Sequence, residues 1–364
     1  MTISAHLALN SLSFGFCSFH ILRELWKKGI NVNLFPIGNN LDLSSFDKAE
    51  PELVNWIHQS AKNALRNYSH KDPALRLWHI GGSQESVGAN QNLFTFFELL
   101  DNVTDVEKNI LNNQSCVFVS SEETKQTFEE NGVKSKIVYC PLGFDSLHFK
   151  KLNKKYYDDN VTCWLVSGKA EMRKSSAETI RAWLKKFGNN SNHILHISIY
   201  NSFLSPEQNS QLIHHIFEGK KYSNVVVLPY VQTLSQLNDV YNSADIVLDL
   251  AKNEGWSIPS FSTLALGKHA IIHNASAMKG WTNKENAVLV ESCGKTKAVD
   301  GMFFSGQGDF NVGNFWTWKE EDLMRAFDEV LARKAISKTN SEGLKLQTQF
   351  TWEKTVDTIL ANLT

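Results

Sequence analysis

Short apolar runs recur along this chain, separated by stretches whose apolar residues return every three or four positions, the alternation expected of β-strands and amphipathic helices. Residues 3–9 predict a first strand, and 10–16, with Gly15, a glycine-bearing loop. A helix follows over about 18–28, closed by Gly29, and then a strand over 30–37. Apolar runs at 75–80, 94–98 and 116–120 predict further strands. Ser120 or Ser121 stands ready to cap a helix whose first turn holds Glu122 and Glu123. After residue 160 the pattern begins again. Strands are expected at 161–167, 193–200, 224–228, 245–250 and 269–273, with helices near 176–187, 205–218, 233–243 and 260–267. Two doubly wound α/β domains follow from that alternation, residues 1–150 and 151–345. The charged, aperiodic KKLNKKYYDDN at 150–160 reads as the linker. Residues 320–333 and 341–360 read as helical. The Gly-, Asn- and aromatic-rich 301–318 reads as an insertion, either a lid or acceptor loop or a packed surface loop.

Composition agrees with two cores: 364 residues, 42% hydrophobic and 11% aromatic. No apolar run approaches the ~20 residues of a membrane span. The N-terminus lacks the basic region of a signal peptide. Cys17, Cys116, Cys140, Cys163 and Cys293 are odd in number and scattered, and are expected as buried free thiols of a cytoplasmic protein. Formal charge is −1 overall, −3 over residues 1–150 and +2 over the rest. A negative first half disfavours a nucleic-acid partner without excluding DNA as an acceptor.

Candidate chemistry gathers at the ends of expected strands, where doubly wound sheets bind ligands. After 245–250 come Glu254 and a turn into a helix with Pro259 in its first turn. The free backbone N–H groups of Gly255, Trp256, Ser257 and Ile258 there suit an anion or a sugar hydroxyl. After 161–167 comes a glycine-led loop with Lys169, Arg173 and Lys174. Such a loop is either a solvated basic turn or a diphosphate site, and its exposed cations are expected to add little to stability. His79 ends an expected strand before Gly81-Gly82, where a structural histidine is the commoner occupant. Glu98, at a strand tip, is either an acceptor-facing acid or a solvated one. Gly15 serves either a tight turn or a phosphate approach.

The segment 245–273 resembles the donor-binding segment of retaining GT-B glycosyltransferases of the family-4 type, through Glu254, Gly255, Trp256, Ile258, Pro259, Ala265, Gly267, Ile271 and Ile272. Pro141, Gly143, Asp145 and Phe149 match that family's exit to the second domain, and Phe350-Thr351-Trp352 its C-terminal signature. The resemblance implies a GT-B fold: two Rossmann-like domains face each other across a cleft, the first binding acceptor and the second a nucleotide-sugar donor. Residues 346–364 would then form a helix returning to the first domain. It further implies that Lys174 and Lys169, with Arg173 beside them, neutralise the donor diphosphate, that Glu254 orients the sugar, and that His79 lies near the distal phosphate. Ser262 occupies the place of the family's ribose-binding glutamate, so it is expected to face the crevice with one neutral hydroxyl.

The implied activity is glycosyl transfer with retention, without metal and with no cofactor beyond the donor. The acceptor is open: a glycan, a lipid-linked sugar, a small metabolite, a protein or a hydroxylated nucleobase in DNA. Two other readings use the same fold, a nucleotide-sugar epimerase and an inactive sugar-binding relative. No paired carboxylates of a glycosidase, no DxD motif beside the donor segment and no His/Cys cluster stand out.

Overall fold

A computed structural model describes residues 1–363. The first domain is a six-stranded parallel sheet of β1 (Thr2–Leu9), β2 (Asn31–Leu41), β3 (Ala74–Leu77), β4 (Gln91–Thr95), β5 (Cys116–Val119) and β6 (Lys136–Tyr139), in the order β2-β1-β3-β4-β5-β6. The second repeats the plan with β7 (Thr162–Gly168), β8 (His193–Ile199), β9 (Val225–Val227), β10 (Ile246–Asp249), β11 (His269–Asn274) and β12 (Val288–Glu291), in the order β12-β11-β10-β7-β8-β9. Helices cover both faces, so β3, β4 and β5 are buried at every residue. That is why β5 reads in sequence as a continuous apolar run rather than an alternation. By contrast, β3 carries Arg76 and β4 opens on Gln91 and Asn92, so that β4 begins three residues before the expected strand at 94–98. Strand order reverses between β1 and β3 and again between β7 and β10, which places a crevice at the carboxyl ends of those four strands.

The chain returns to the first domain at its end. Helix Trp352–Asn362 lies on helix Ser13–Lys27, with Trp352 stacked on His20 at 5.0 Å and Lys28 bonded to Asp357 at 2.7 Å. The expected single helix over 341–360 is instead three pieces. Phe350 leaves the helical path to pack on Trp256 and Phe261, and the Thr351 hydroxyl accepts the Lys354 N–H to start the last helix.

Two further differences have clear causes. The first helix begins at Ser13, about five residues early, because Leu12 N–H bonds the Asn10 side chain (2.9 Å) and so turns the chain sooner. Residues 301–318 are not a free loop. They lie between and within the strands of an antiparallel hairpin, β13 (Gly294–Lys297) and β14 (Asn314–Thr317), an arm that reaches from the second domain to the first. Leu100 N–H bonds Asn314 O at 3.0 Å, Asn311 N–H bonds Glu107 at 2.9 Å, and Phe304 and Phe315 join the first-domain core beside Ile80 and Phe97. Four cysteines are buried as expected, but Cys293, just before the arm, is exposed. Among the described residues no helix is long and apolar enough to cross a membrane.

Where the first domain ends, the Asp145 carboxylate is fully enclosed. It accepts from His148 Nδ1 (2.8 Å) and from the backbone N–H groups of Leu147 and His148, with His20 Nε2 at 3.3 Å. The trio could in principle hold a cation. Short hydrogen bonds to a single carboxylate and complete burial describe a structural pin instead. Burial alone would raise the Asp145 carboxyl, but His20 and His148 hold it far below the ordinary value of 3.8. The stability it contributes is therefore complete above that value and is lost as pH falls below it. Asp145→Asn is expected to cost about 2 kcal/mol, the scale of hydrogen bonds to a charged group. The gap in unfolding free energy from wild type, measured in urea from pH 7 to pH 3, should narrow below about pH 4. A pH-independent gap would show that the charge is not what matters.

Candidate functional site

The carboxyl ends of both sheets enclose a cavity of about 410 Å³ between the domains, within the range of small-molecule sites. Residues after β1, β3 and β4 form one wall, and residues after β7, β8, β9 and β10 the other.

On the second-domain wall, β10 ends at Asp249 and the chain turns through Glu254 and Gly255 into helix Ile258–Ala265. Ser257, just before that helix, adopts a left-handed backbone (φ 64°), which costs a non-glycine residue about 1–2 kcal/mol. Its hydroxyl donates to Asp249, as does that of Ser260 (2.5 Å), and the two hydroxyls lie 2.8 Å apart, which offsets the strain. Gly255 meets the opposite domain: a Cβ there would lie 2.8 Å from Phe96 Cβ, so only glycine permits this approach. Ser120 of the first domain donates to Gly255 O. Trp256 and Ile258 line the cavity, but the Trp256 ring is 3% exposed and packs on Phe261 and Phe350.

After β7, a short turn at Met172–Lys174 carries the cations. Arg173 is 4% exposed. Its Nη1 donates to Glu254 (2.9 Å) and to Asn253 O, and its Nη2 to Glu171 (2.5 Å), with Glu98 of the first domain at 3.1 Å. Lys174 lies 2.5 Å from Glu254, and Lys169 3.1 Å from Glu171. The expectation of exposed loop cations is corrected here. The Lys174 side chain is 13% exposed, because the turn folds inward over β10 and finds carboxylates waiting. Although burial opposes it, Glu98, Glu254 and Glu171 raise the Arg173 pKa, and Glu254 likewise outweighs burial at Lys174. Burial pushes the Glu98 carboxyl up, Arg173 pulls it back, and Glu254 pushes again, leaving it above the ordinary carboxylate range. Glu98 also stands 3.4 Å from Gly255 N, so it bridges the two domains at the helix entry.

On the first-domain wall, His79 follows β3 and packs against Phe14 at 4.6 Å. Desolvation, and then Lys169, lower its pKa. Phe14 also touches Trp78 and Phe96, each at 5.2 Å.

The fold thus brings together Lys169, Arg173, Lys174, Glu254, Gly255, Trp256, Ser257, Ile258, His79 and Glu98 around one cavity. Gly15 and Ser262 do not line it. Gly15 lies inside the first helix, where a Cβ would fall 2.0 Å from Asn10 O, so its bare Cα is required by the Asn10–Ser13 turn. Ser262 is 2% exposed within its helix, because that face packs into the second domain. The residues missed from sequence are Glu171 and Asp249, the partners of the cations and the helix entry, and the aromatics Phe14, Trp78, Phe96, Tyr200 and Tyr230. Tyr200 follows β8 directly and Tyr230 lies three residues past the end of β9, and their place near strand ends was the available signal.

No protein-family model matches the sequence, and no curated protein matches it. Solved structures do. A sucrose-phosphate synthase from Thermosynechococcus elongatus superposes with TM-score 0.69 at 14% identity, over 99% of this chain and 98% of that chain. Anabaena HepE in complex with UDP and glucose gives TM-score 0.65 at 12% identity, over 99% and 98%. A trehalose-6-phosphate synthase characterised for glycosyl transfer with retention gives 0.65 at 11% identity, over 99% and 98%. By its two parallel six-stranded sheets and their full-length match to these structures, the chain has the GT-B fold.

Proposed function

We propose that this protein is a metal-independent glycosyltransferase that moves a sugar from a nucleotide-sugar donor to an acceptor hydroxyl with retention at the anomeric carbon. The observation that carries the proposal is the cluster of Lys169, Arg173 and Lys174 facing Glu254 and the Gly255–Ile258 turn in the interdomain cavity. HepE, bound with UDP and glucose, and the trehalose-6-phosphate synthase that transfers with retention support the donor class and the stereochemistry.

Chemistry in this geometry is an exchange of partners. Lys174 and Lys169 turn from Glu254 and Glu171 to the diphosphate, while Glu254, released from Lys174, takes sugar hydroxyls. As the bond between the anomeric carbon and phosphate oxygen breaks, the cations and the turn's amides stabilise the charge on the leaving group. The acceptor oxygen bonds to the same face of that carbon, and its proton passes to the departing phosphate oxygen. Arg173, held from three sides, keeps Glu254 in place.

A screen of nucleotide sugars by thermal shift, followed by donor hydrolysis, tests this reading. A true donor at ~100 times its dissociation constant should add roughly 2.7 kcal/mol of stability. Hydrolysis should continue in EDTA. Binding without turnover would indicate an inactive relative, acceptor-free conversion to another nucleotide sugar an epimerase, and EDTA inhibition reversed by magnesium a metal in place of the lysines.

A further inference from the structure

The two walls of the cavity differ in chemistry. Every lining cation, Lys169, Arg173 and Lys174, comes from the second domain, and each is already matched to a carboxylate. Among the described residues the first-domain wall carries no lysine or arginine, and its carboxylate is Glu98. It presents an aromatic shelf instead. Phe14 lies at the centre, with Trp78 at 5.2 Å, His79 at 4.6 Å and Phe96 at 5.2 Å, and Asn10, Ser11 and Ser13 supply small polar groups at the edge. Phe14, Trp78 and Phe96 are all partly exposed.

Resting on the glycosyltransferase reading, we infer that the acceptor is an uncharged sugar or glycoside whose ring lies on the Phe14–Trp78–His79 shelf, and not a phosphorylated sugar. A sugar ring offers apolar C–H faces for aromatic rings and hydroxyls at its rim for asparagine and serine, which is how apolar-lined sites with a few polar groups select a ligand. A phosphate on this wall would face Glu98 and find no cation of the same wall, while Lys169, Arg173 and Lys174 opposite are matched to carboxylates and, on the donor reading, serve the diphosphate. A charge without a free partner in a desolvated site is costly. Desolvation and then Lys169 lower the His79 pKa, so this ring is a poorer cation than an ordinary histidine. The same shortage of positive charge disfavours a DNA acceptor.

Ligand-observed saturation-transfer NMR on the full chain, with uridine diphosphate present, tests the inference. The probes are methyl glycosides of common hexoses, the matching hexose 6-phosphates, and a hydroxymethylcytosine-containing oligonucleotide. At least one methyl glycoside should receive saturation, at least fivefold more than its 6-phosphate. Phe14→Ala and Trp78→Leu should each reduce that signal at least fivefold while leaving stabilisation by nucleotide sugar in place, which also reports that the variants fold. A 6-phosphate or the oligonucleotide binding as well as the neutral glycosides overturns the inference, as does the absence of saturation in every methyl glycoside. Donor hydrolysis on the same sample separates the two readings. Donor turnover without glycoside binding removes only the acceptor assignment. Glycoside binding at the shelf with no nucleotide sugar bound removes the donor reading and leaves the sugar site.

Discussion

Arg173→Met is expected to lower the free energy of unfolding by about 3–5 kcal/mol, the cost of removing one partner from a buried ionic cluster. Methionine fills similar volume but leaves Glu98, Glu171 and Glu254 crowded without the guanidinium that joins them. Like charges in a desolvated site raise one another's pKa, so the carboxylates must protonate or separate. A group whose folded pKa is raised contributes stability at low pH and loses it as pH rises. The deficit of the variant should therefore be smaller at pH 5 than at pH 8. Urea unfolding at the two pH values measures both effects. A loss under 1 kcal/mol, or a deficit that grows toward low pH, would mean that the cluster does not depend on Arg173. Because Glu98 belongs to the first domain, the variant should also loosen domain closure, visible as faster amide exchange at Gly255.

Lys174→Ala is expected to act mainly on turnover. Loss of one preorganised group that stabilises leaving-group charge costs about 10²–10³ in kcat. The structure adds a stability component to that expectation. Lys174 is largely enclosed and pairs with Glu254, but Arg173 remains bonded to the same carboxylate oxygen, so Glu254 is not orphaned. Unfolding free energy should fall by less than in Arg173→Met, while kcat falls far more than donor affinity. Single-turnover kinetics with the donor found by thermal shift would separate these effects. A variant with near wild-type kcat would remove Lys174 from the leaving-group site.

The two single-residue tests rest on different kinds of legibility. Many strand positions were readable because strands buried on both faces are mostly apolar, as β5 is throughout and β10 is as far as Asp249. By contrast, β4, opening on Gln91 and Asn92, was expected three residues late, and β12 was not read. The Glu254–Pro259 turn was readable because proline near a helix start and an acid at a strand end are local signals. Gly15 was readable as a constrained glycine, but its reason, the Asn10 backbone 2.0 Å away, depends on where the first helix begins.

Sequence by itself thus determined the two doubly wound domains, the crevice at their strand ends and the cations and acid near it, since each is written in residues close together in the chain. Tertiary structure decided which charges meet. Glu98 and Arg173 are 75 positions apart, and only the approach of the two domains, permitted by the bare Cα of Gly255, sets them 3.1 Å apart. It also decided that residues 301–318 belong to an arm on the first domain, because Phe304 and Phe315 bury their rings there rather than in their own domain. The burial of Ser262 was equally hidden. Which face of a short helix packs inward depends on the neighbouring surfaces, and no local pattern in an eight-residue helix with mostly buried positions specifies it.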